Sequence, residues 1–343
     1  MKALRTAKRF LGFMLYFFMA LPLTLGGLSL TAVRPWLVNP DSYLELVRDA
    51  RFEALLEAPE LRENAPAAIN AGDYALEGPA AVAAVQAALP SAVIVDTAES
   101  AITGFFKALD SGATSYALDL SGIKAAADSG SPLFVSTYFS TAANPVGALP
   151  AGTLPPSLIS SGALDTERGK ALAMDEATKL VRARIAEVPA SVSLPLEPDG
   201  VERGWNGRPM NLIAMQAGLA ASSLWLLLAG GGLCIASAFI AEDSWRKRLG
   251  RLGGNILGPG IFVLVIGLFP HLINPAGFVR GELQGFSLNQ IPALTEYIKF
   301  VATRLTGGFL SAGIAAVALG TAFSSAKFVI PARDDEEELE IEG

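Results

Sequence analysis

Phe10–Val33, FLGFMLYFFMALPLTLGGLSLTAV, runs for 24 residues without a charged side chain. At about 1.5 Å per helical residue, that run crosses a hydrocarbon core about 30 Å thick. Three more stretches read the same way: about Leu212 to Ala241, Ile256 to Ile273 and Thr306 to Ala326 all lack Asp, Glu, Lys and Arg. Four such runs, in a chain whose overall mean hydropathy is +0.42, exceed what the buried helices of a soluble core supply.

The first run is expected to be an uncleaved anchor. Lys2, Arg5, Lys8 and Arg9 would suit the basic start of a secretory leader. A leader, however, has an apolar core of only about 7–15 residues, and Ser29-Leu30-Thr31 is a poor small-x-small cleavage site.

Orientation follows from the basic residues. Four precede the first run, Arg246, Lys247, Arg248 and Arg251 lie between the second and third, and Lys327 and Arg333 follow the fourth. The positive-inside rule places all three groups in the cytoplasm. Trp36, Trp205 and Trp245 lie near the ends of runs, where amphipathic rings prefer the headgroup level. The predicted layout is a cytoplasmic 1–9, span 10–33, an extracytoplasmic domain 34–210, span 211–241, a cytoplasmic loop 242–254, span 255–273, an outer loop 274–305, span 306–326 and an acidic cytoplasmic tail 327–343. The expected location is the cell (inner) membrane, with the lipid bilayer as the first partner.

The outer segment, 34–210, has the size of one ordinary domain. It holds 13 Lys/Arg against 22 Asp/Glu, a balance that disfavours nucleic acid and anionic headgroups as ligands and suits a basic or neutral one. It contains no cysteine, so no disulfide is expected to stabilise it. Asn39-Pro40-Asp41 reads as a helix start, with a helix to about Ala58. An alanine-rich helix should follow Pro79 and another should run from Ser91 to Leu109, with Pro90 between them. Thr114 to Leu120 alternates as a short strand, and Ser121 is placed to cap the next helix. Ser131 to Ser161, with five prolines, is predicted as a long loop. Asp165 opens a helix to about Val188, and Pro189, Pro195 and Pro198 mark an extended link back to the membrane.

Asn39-Pro40-Asp41-Ser42-Tyr43 directly after a first span, Leu118-Asp119-Leu120-Ser121-Gly122-Ile123-Lys124, and three closing spans resemble a group of uncharacterised four-span bacterial membrane proteins with a large helical outer domain. That resemblance implies a fold and no activity. The one-plus-three layout is also similar to permease subunits of the cell-division and macrolide-efflux ABC systems, which implies a cytoplasmic ATPase as partner. Their outer domains usually mix strand and helix, whereas 34–210 reads as mostly helical.

Few residues have the makings of catalysis. A single histidine, His271, and a single cysteine, Cys234, cannot supply a triad or a zinc set with the usual ligands. Ser121/Lys124 and Ser324/Lys327 have Ser-x-x-Lys spacing, which puts a lysine one turn from a serine, but the accompanying motifs of penicillin-recognising enzymes are missing. Gly250, Gly253, Gly254, Gly258 and Gly260 match no phosphate-binding pattern and are better read as close helix packing with a flexible start to the third span. No cofactor or metal is implied, and the protein is read as non-enzymatic.

Packing and partner signals are clearer. Gly308, Ala312, Ala316, Gly320 and Ser324 recur every four residues, a small-residue stripe along which another helix can approach; Ala214, Gly218 and Ser222 repeat it in the second span. Such a stripe serves packing within the chain or a homo-oligomer. Glu45, Asp49 and Glu53 would form an acidic ridge on one helix, suited to a basic extracytoplasmic protein partner. The tail acids from Asp334 onward read as a solvated run or as a docking site for a basic partner. The expected fold is mainly α: a four-helix transmembrane bundle with a predominantly helical extracytoplasmic domain inserted between spans 1 and 2, which binds or scaffolds another envelope component.

Overall fold

The computed structural model describes residues 2–71, 74–148, 166–196, 212–273, 282–283, 286–287 and 290–329. The chain divides into two compact units, 1–39 with 210–274 and 300–343, and 40–209 with 275–299. Trp205, Ala214, Pro198 and residues 149–161 of the predicted Ser131–Ser161 loop, together with the acidic tail from Asp334, have side chains outside the described residues.

The first unit is a helix bundle. Helix α1 (Lys2–Leu15) runs through a π-helical turn, Tyr16–Ala20, into α2 (Leu21–Val38). Among the described residues, four helical segments are long and apolar enough to cross a membrane: Arg5–Val38, Gly218–Ala241, Trp245–Leu272 and Pro292–Ala326. The last two start earlier than the apolar runs suggest. The basic residues expected in a loop at 242–254 instead occupy the first turns of a helix beginning at Trp245, because the Ser244 hydroxyl accepts the Lys247 N–H at 3.4 Å and caps it. Cations at a helix N-terminus oppose the macrodipole, and Glu242 and Asp243 immediately before the cap offset them. Pro292 likewise opens a 35-residue helix 14 residues before Thr306, at the position where its missing N–H costs nothing. The first residues of that helix, through Lys299, belong to the second unit.

The second unit is helical with short hairpins. After α3 (Asp41–Arg48), α4 (Ala50–Leu56) and α5 (Glu60–Glu63), strands β1 (Ala68–Ala71) and β2 (Tyr74–Glu77) pair antiparallel. Then come α6 (Gly78–Ala88), α7 (Ser91–Asp110), β3 (Ser115–Asp119), α8 (Ser121–Thr141), α9 (Glu167–Glu187) and β4 (Ser191–Pro195). The stretch read as an extended link is therefore in part a strand: β4 lies antiparallel to β3, with Ala117 opposite Ser193. A tiny hairpin of β5 (Glu282–Leu283) and β6 (Phe286–Ser287) completes the described strands. In the bundle, Leu212–Ala241 is α10, Trp245–Leu272 is α11 and Pro292–Ala326 is α12.

Three local expectations are corrected. The helix expected from Asn39 to Ala58 breaks at Asp49, whose ψ of 135° is extended and whose carboxylate accepts the Arg51 N–H at 3.0 Å, capping a new helix. Pro132 does not end α8. It cannot donate to the Asp128 carbonyl, but the Ser131 hydroxyl does so at 2.8 Å, so the freed acceptor is satisfied and the helix continues to Thr141. Ser121 is not a cap: Leu120 is the N-cap residue, and the Asp119 carboxylate accepts the Ser121 N–H at 2.8 Å.

The core of the second unit forms where α6 meets α8. Ala80, Ala81, Ala84 and Tyr138 are buried there with Phe134 and Leu76 around them. Alanines on α6 allow this close approach, and a Cβ at Gly130 would overlap the Ala88 carbonyl.

Candidate functional site

Leu89 and Pro90 are extended, so α6 and α7 meet at a bend of 75° rather than running on as one helix. Together the two helices are apolar and long enough to rank as one broken membrane-length pair. Inside the bend lies a cavity of about 590 Å³. Its wall is almost wholly apolar, with Leu61, Ile69, Val82, Val85, Ile94 and Phe134 prominent. That size and lining suit a small molecule or the apolar anchor of a partner, within the usual range of about 300–1,000 Å³.

Polar groups gather along one margin. Gln86 donates to the Leu56 and Ala58 carbonyls at 2.9 and 3.2 Å, closing the end of α4, and accepts from Arg62. Its amide is thus consumed by structure. Ser91 differs: its hydroxyl oxygen lies 3.1 Å from a Glu53 carboxylate oxygen and 2.7 Å from one of Glu57. One hydroxyl proton cannot serve two carboxylates, which leaves acceptor capacity beside the apolar wall. Part of this arrangement is structural, since acids near Ser91 complement the N-terminus of α7. A cation beside an apolar group would match the remainder.

The acidic ridge is thereby redrawn. Glu45 is exposed on α3, Asp49 is held by the Arg51 backbone and lies 3.6 Å from its guanidinium, and Glu53 points to Ser91. The break at Asp49 takes the three off a single helical face. Glu57, which the sequence reading passed over, joins Glu53 instead. Nearby, Arg48 makes a two-pronged pair with Glu99, at 2.9 and 2.8 Å, that ties α3 to α7 and holds the Glu99 carboxyl below its usual range.

The Ser-x-x-Lys spacings form no dyad geometry of their own. Lys124 donates to the Ala186 and Val188 carbonyls at 3.0 and 2.6 Å, capping the end of α9. Ser324 packs against Gly253, while the Lys327 ammonium lies 4.9 Å from the Phe328 ring centre. His271 is exposed in the last turn of α11, and Cys234 is buried 3.8 Å from the Thr24 hydroxyl. Among the described residues, no three His, Cys, Asp or Glu side chains gather as a metal set.

Of the stripe residues, Ala316, Gly320 and Ser324 meet α11, at Gly260, Leu257 and Gly253. Gly308 lies against the Ala32 carbonyl of α2 instead, and Ala312 is half-buried. Gly313, missed in the four-residue reading, packs on Leu264. Gly253, Gly260 and Gly267 face α12 at seven-residue intervals, as Gly313 and Gly320 face α11, the spacing that keeps two helices in contact along a left-handed crossing. On α10 the predicted stripe takes no such role at Gly218, where a side chain would meet open space, and the half-buried Ser222 turns its hydroxyl back to the Gly218 carbonyl at 2.6 Å. The α10 glycine in close contact is Gly230, against Thr24.

No protein-family model, curated protein or solved structure matches this chain.

Proposed function

We propose that the protein is a non-enzymatic, multi-pass component of the cell membrane, both termini cytoplasmic, whose domain 34–210 binds or scaffolds another envelope component through the cavity in the α6–α7 bend. The observation that carries this reading is the cavity itself: an apolar recess of about 590 Å³ with Glu53 and Glu57 converging on Ser91 at its margin. A partner presenting an apolar side chain next to a lysine or arginine fills both halves of that site. Desolvated apolar anchors supply most of the affinity at such interfaces, and the charge sets register and on-rate. The acidic balance of 34–210 supports the same sign of partner.

A photoreactive residue in place of Val85, which lines the cavity and is 47 % exposed, tests this in living cells. One protein should be captured, and capture should fall sharply with Glu53→Lys plus Glu57→Lys at unchanged protein level. Capture insensitive to those charges, with full complementation by the double variant, overturns the reading. Stoichiometric copurification of an ATPase would favour a permease subunit instead.

A further inference from the structure

We infer that the partner of the α6–α7 cavity is a basic amphipathic helix, laid along α6 with apolar side chains at i, i+3, i+4 and i+7 inside and a lysine or arginine at the end beside Glu53 and Glu57. The inference rests on the binding role proposed for that cavity and names the form of the partner. Volume and length select a helix. An apolar cavity of about 150 Å³ holds one benzene ring, so one of about 590 Å³ takes roughly four side chains of that size, and a single anchor would fill about a quarter of it. The α6 side of the wall is Ala81, Val82, Val85, Gln86 and Leu89. From Val82 to Leu89 the chain rises about 10.5 Å, the distance from i to i+7 on a second helix lying beside it. Over that length a helix presents about four side chains on one face. An extended segment, whose same-side residues recur at intervals of about 6.7 Å, presents about two.

The margin selects the cation and its place. Glu57 and Ser91 line the Leu89 end of the cavity, and Glu53 reaches the same hydroxyl. Both acids are exposed, and no cationic side chain of the described residues pairs with either. Because the two carboxylates converge on one hydroxyl, one ammonium or guanidinium reaches both. A phospholipid chain in the same recess would bring its phosphate against them, where like charge costs affinity.

Synthetic peptides of about 16 residues, long enough to populate a helix, test this on the full chain in phosphatidylcholine nanodiscs. One peptide carries leucines at i, i+3, i+4 and i+7 and a lysine beside the last, on an alanine and glutamine background; its isomer carries the leucines at i, i+2, i+4 and i+6. With a photoreactive residue in place of Val82 or Leu89, both half-buried in the cavity wall, the helical peptide should couple several-fold more than its isomer. The two positions should mark peptide residues about seven apart, against about three for an extended chain. Replacing the peptide's lysine by glutamate should lower the yield several-fold, and Glu53→Lys with Glu57→Lys, at exposed positions, should restore it for the glutamate peptide. Equal yields from the two isomers, or coupled residues about three apart, would overturn the helix while leaving a charge-dependent cavity. Loss of the charge dependence as well would overturn the binding role itself. Coupling to phosphatidylcholine in preference to either peptide would assign the cavity to a lipid chain.

Discussion

Gly253 and Gly254 are neighbours on α11, yet only one faces another helix. A Cβ at Gly253 would stand 2.5 Å from the Gly320 carbonyl oxygen and 2.6 Å from the Ser324 nitrogen, as well as overlapping the Ser324 hydroxyl; at Gly254 nothing lies within 4 Å. The hydroxyl can swing away, but the two backbone atoms cannot move without separating the helices. Comfortable contacts are about 3.5–4.0 Å, so the overlap is roughly 1 Å, and relieving it should cost about 1–3 kcal/mol. Both alanine substitutions gain the same helix propensity, about 1 kcal/mol. Gly254→Ala should therefore be neutral to stabilising, and Gly253→Ala should lie about 1–3 kcal/mol below it, the propensity gain cancelling in the comparison. Titrating the purified protein in mixed micelles with a denaturing detergent, followed by helical signal or by a proximity label, gives the two midpoints. Equal midpoints for the neighbouring variants would refute the assignment of this face to the α11–α12 contact.

Leu319→Ala, on the exposed side of α12, should disturb the same titration far less than Gly320→Leu, whose Cβ alone would come 2.8 Å from Leu257; comparable losses would count against the packing. Cysteines at the exposed positions Ser140 and Lys247 should respond oppositely to an impermeant thiol reagent in intact cells with any outer barrier opened, Ser140→Cys labelled and Lys247→Cys protected; the reverse pattern inverts the orientation. Asp119→Ala should cost about 1 kcal/mol by uncapping α8, whereas Ser121→Ala should cost little; a larger loss at Ser121 would return the cap to the serine. Because Arg48 holds the Glu99 carboxyl below its usual range, the pair stabilises the fold above the unfolded pKa of about 4.3 and is lost as pH falls through the lower folded value. Glu99→Gln should thus flatten the acid side of the thermal-stability profile, and an unchanged profile would show that the pair is energetically idle.

The membrane-length helices were legible because the absence of charge over some twenty residues is a signal that tertiary context cannot disguise. Their ends were not. Both α11 and α12 begin in polar sequence, where Ser244 and Pro292 supply the start and hydropathy says nothing. Helix α7 was legible for the opposite reason, a proline before it and a clean stop after it: Gly112, at φ 69°, accepts the left-handed turn that closes the helix. Pro132 misled because the effect of a proline depends on whether the freed carbonyl finds a donor, and Ser131 provides one only once α8 exists. The candidate site was half-visible. Glu53 was singled out, but its pairing with Glu57 through Ser91 depends on the break at Asp49 and the bend at Pro90, and a cavity between helices has no sequence period.

The buried polar groups of the bundle bear on where function resides. Asn255 donates to Ser237 at 3.0 Å, Tyr16 donates to the Asn255 carbonyl at 3.2 Å, and Thr24 meets Cys234, so each contact joins a different pair of helical segments. In an apolar surround an unpaired amide costs about 1–3 kcal/mol, and a one-turn slip of α11 would leave Asn255 in that state. These contacts therefore fix register. Proton relays and ion-coupled transport generally draw on ionisable groups within the spans, and the four apolar runs hold no Asp, Glu, Lys or Arg. Polar side chains spent on one another, small residues spent on close contact, and charge confined to the ends are what the proposed function asks of an anchor. Under that reading, sequence changes inside the bundle alter stability, while changes at Glu53, Glu57 and Val85 alter what the protein binds.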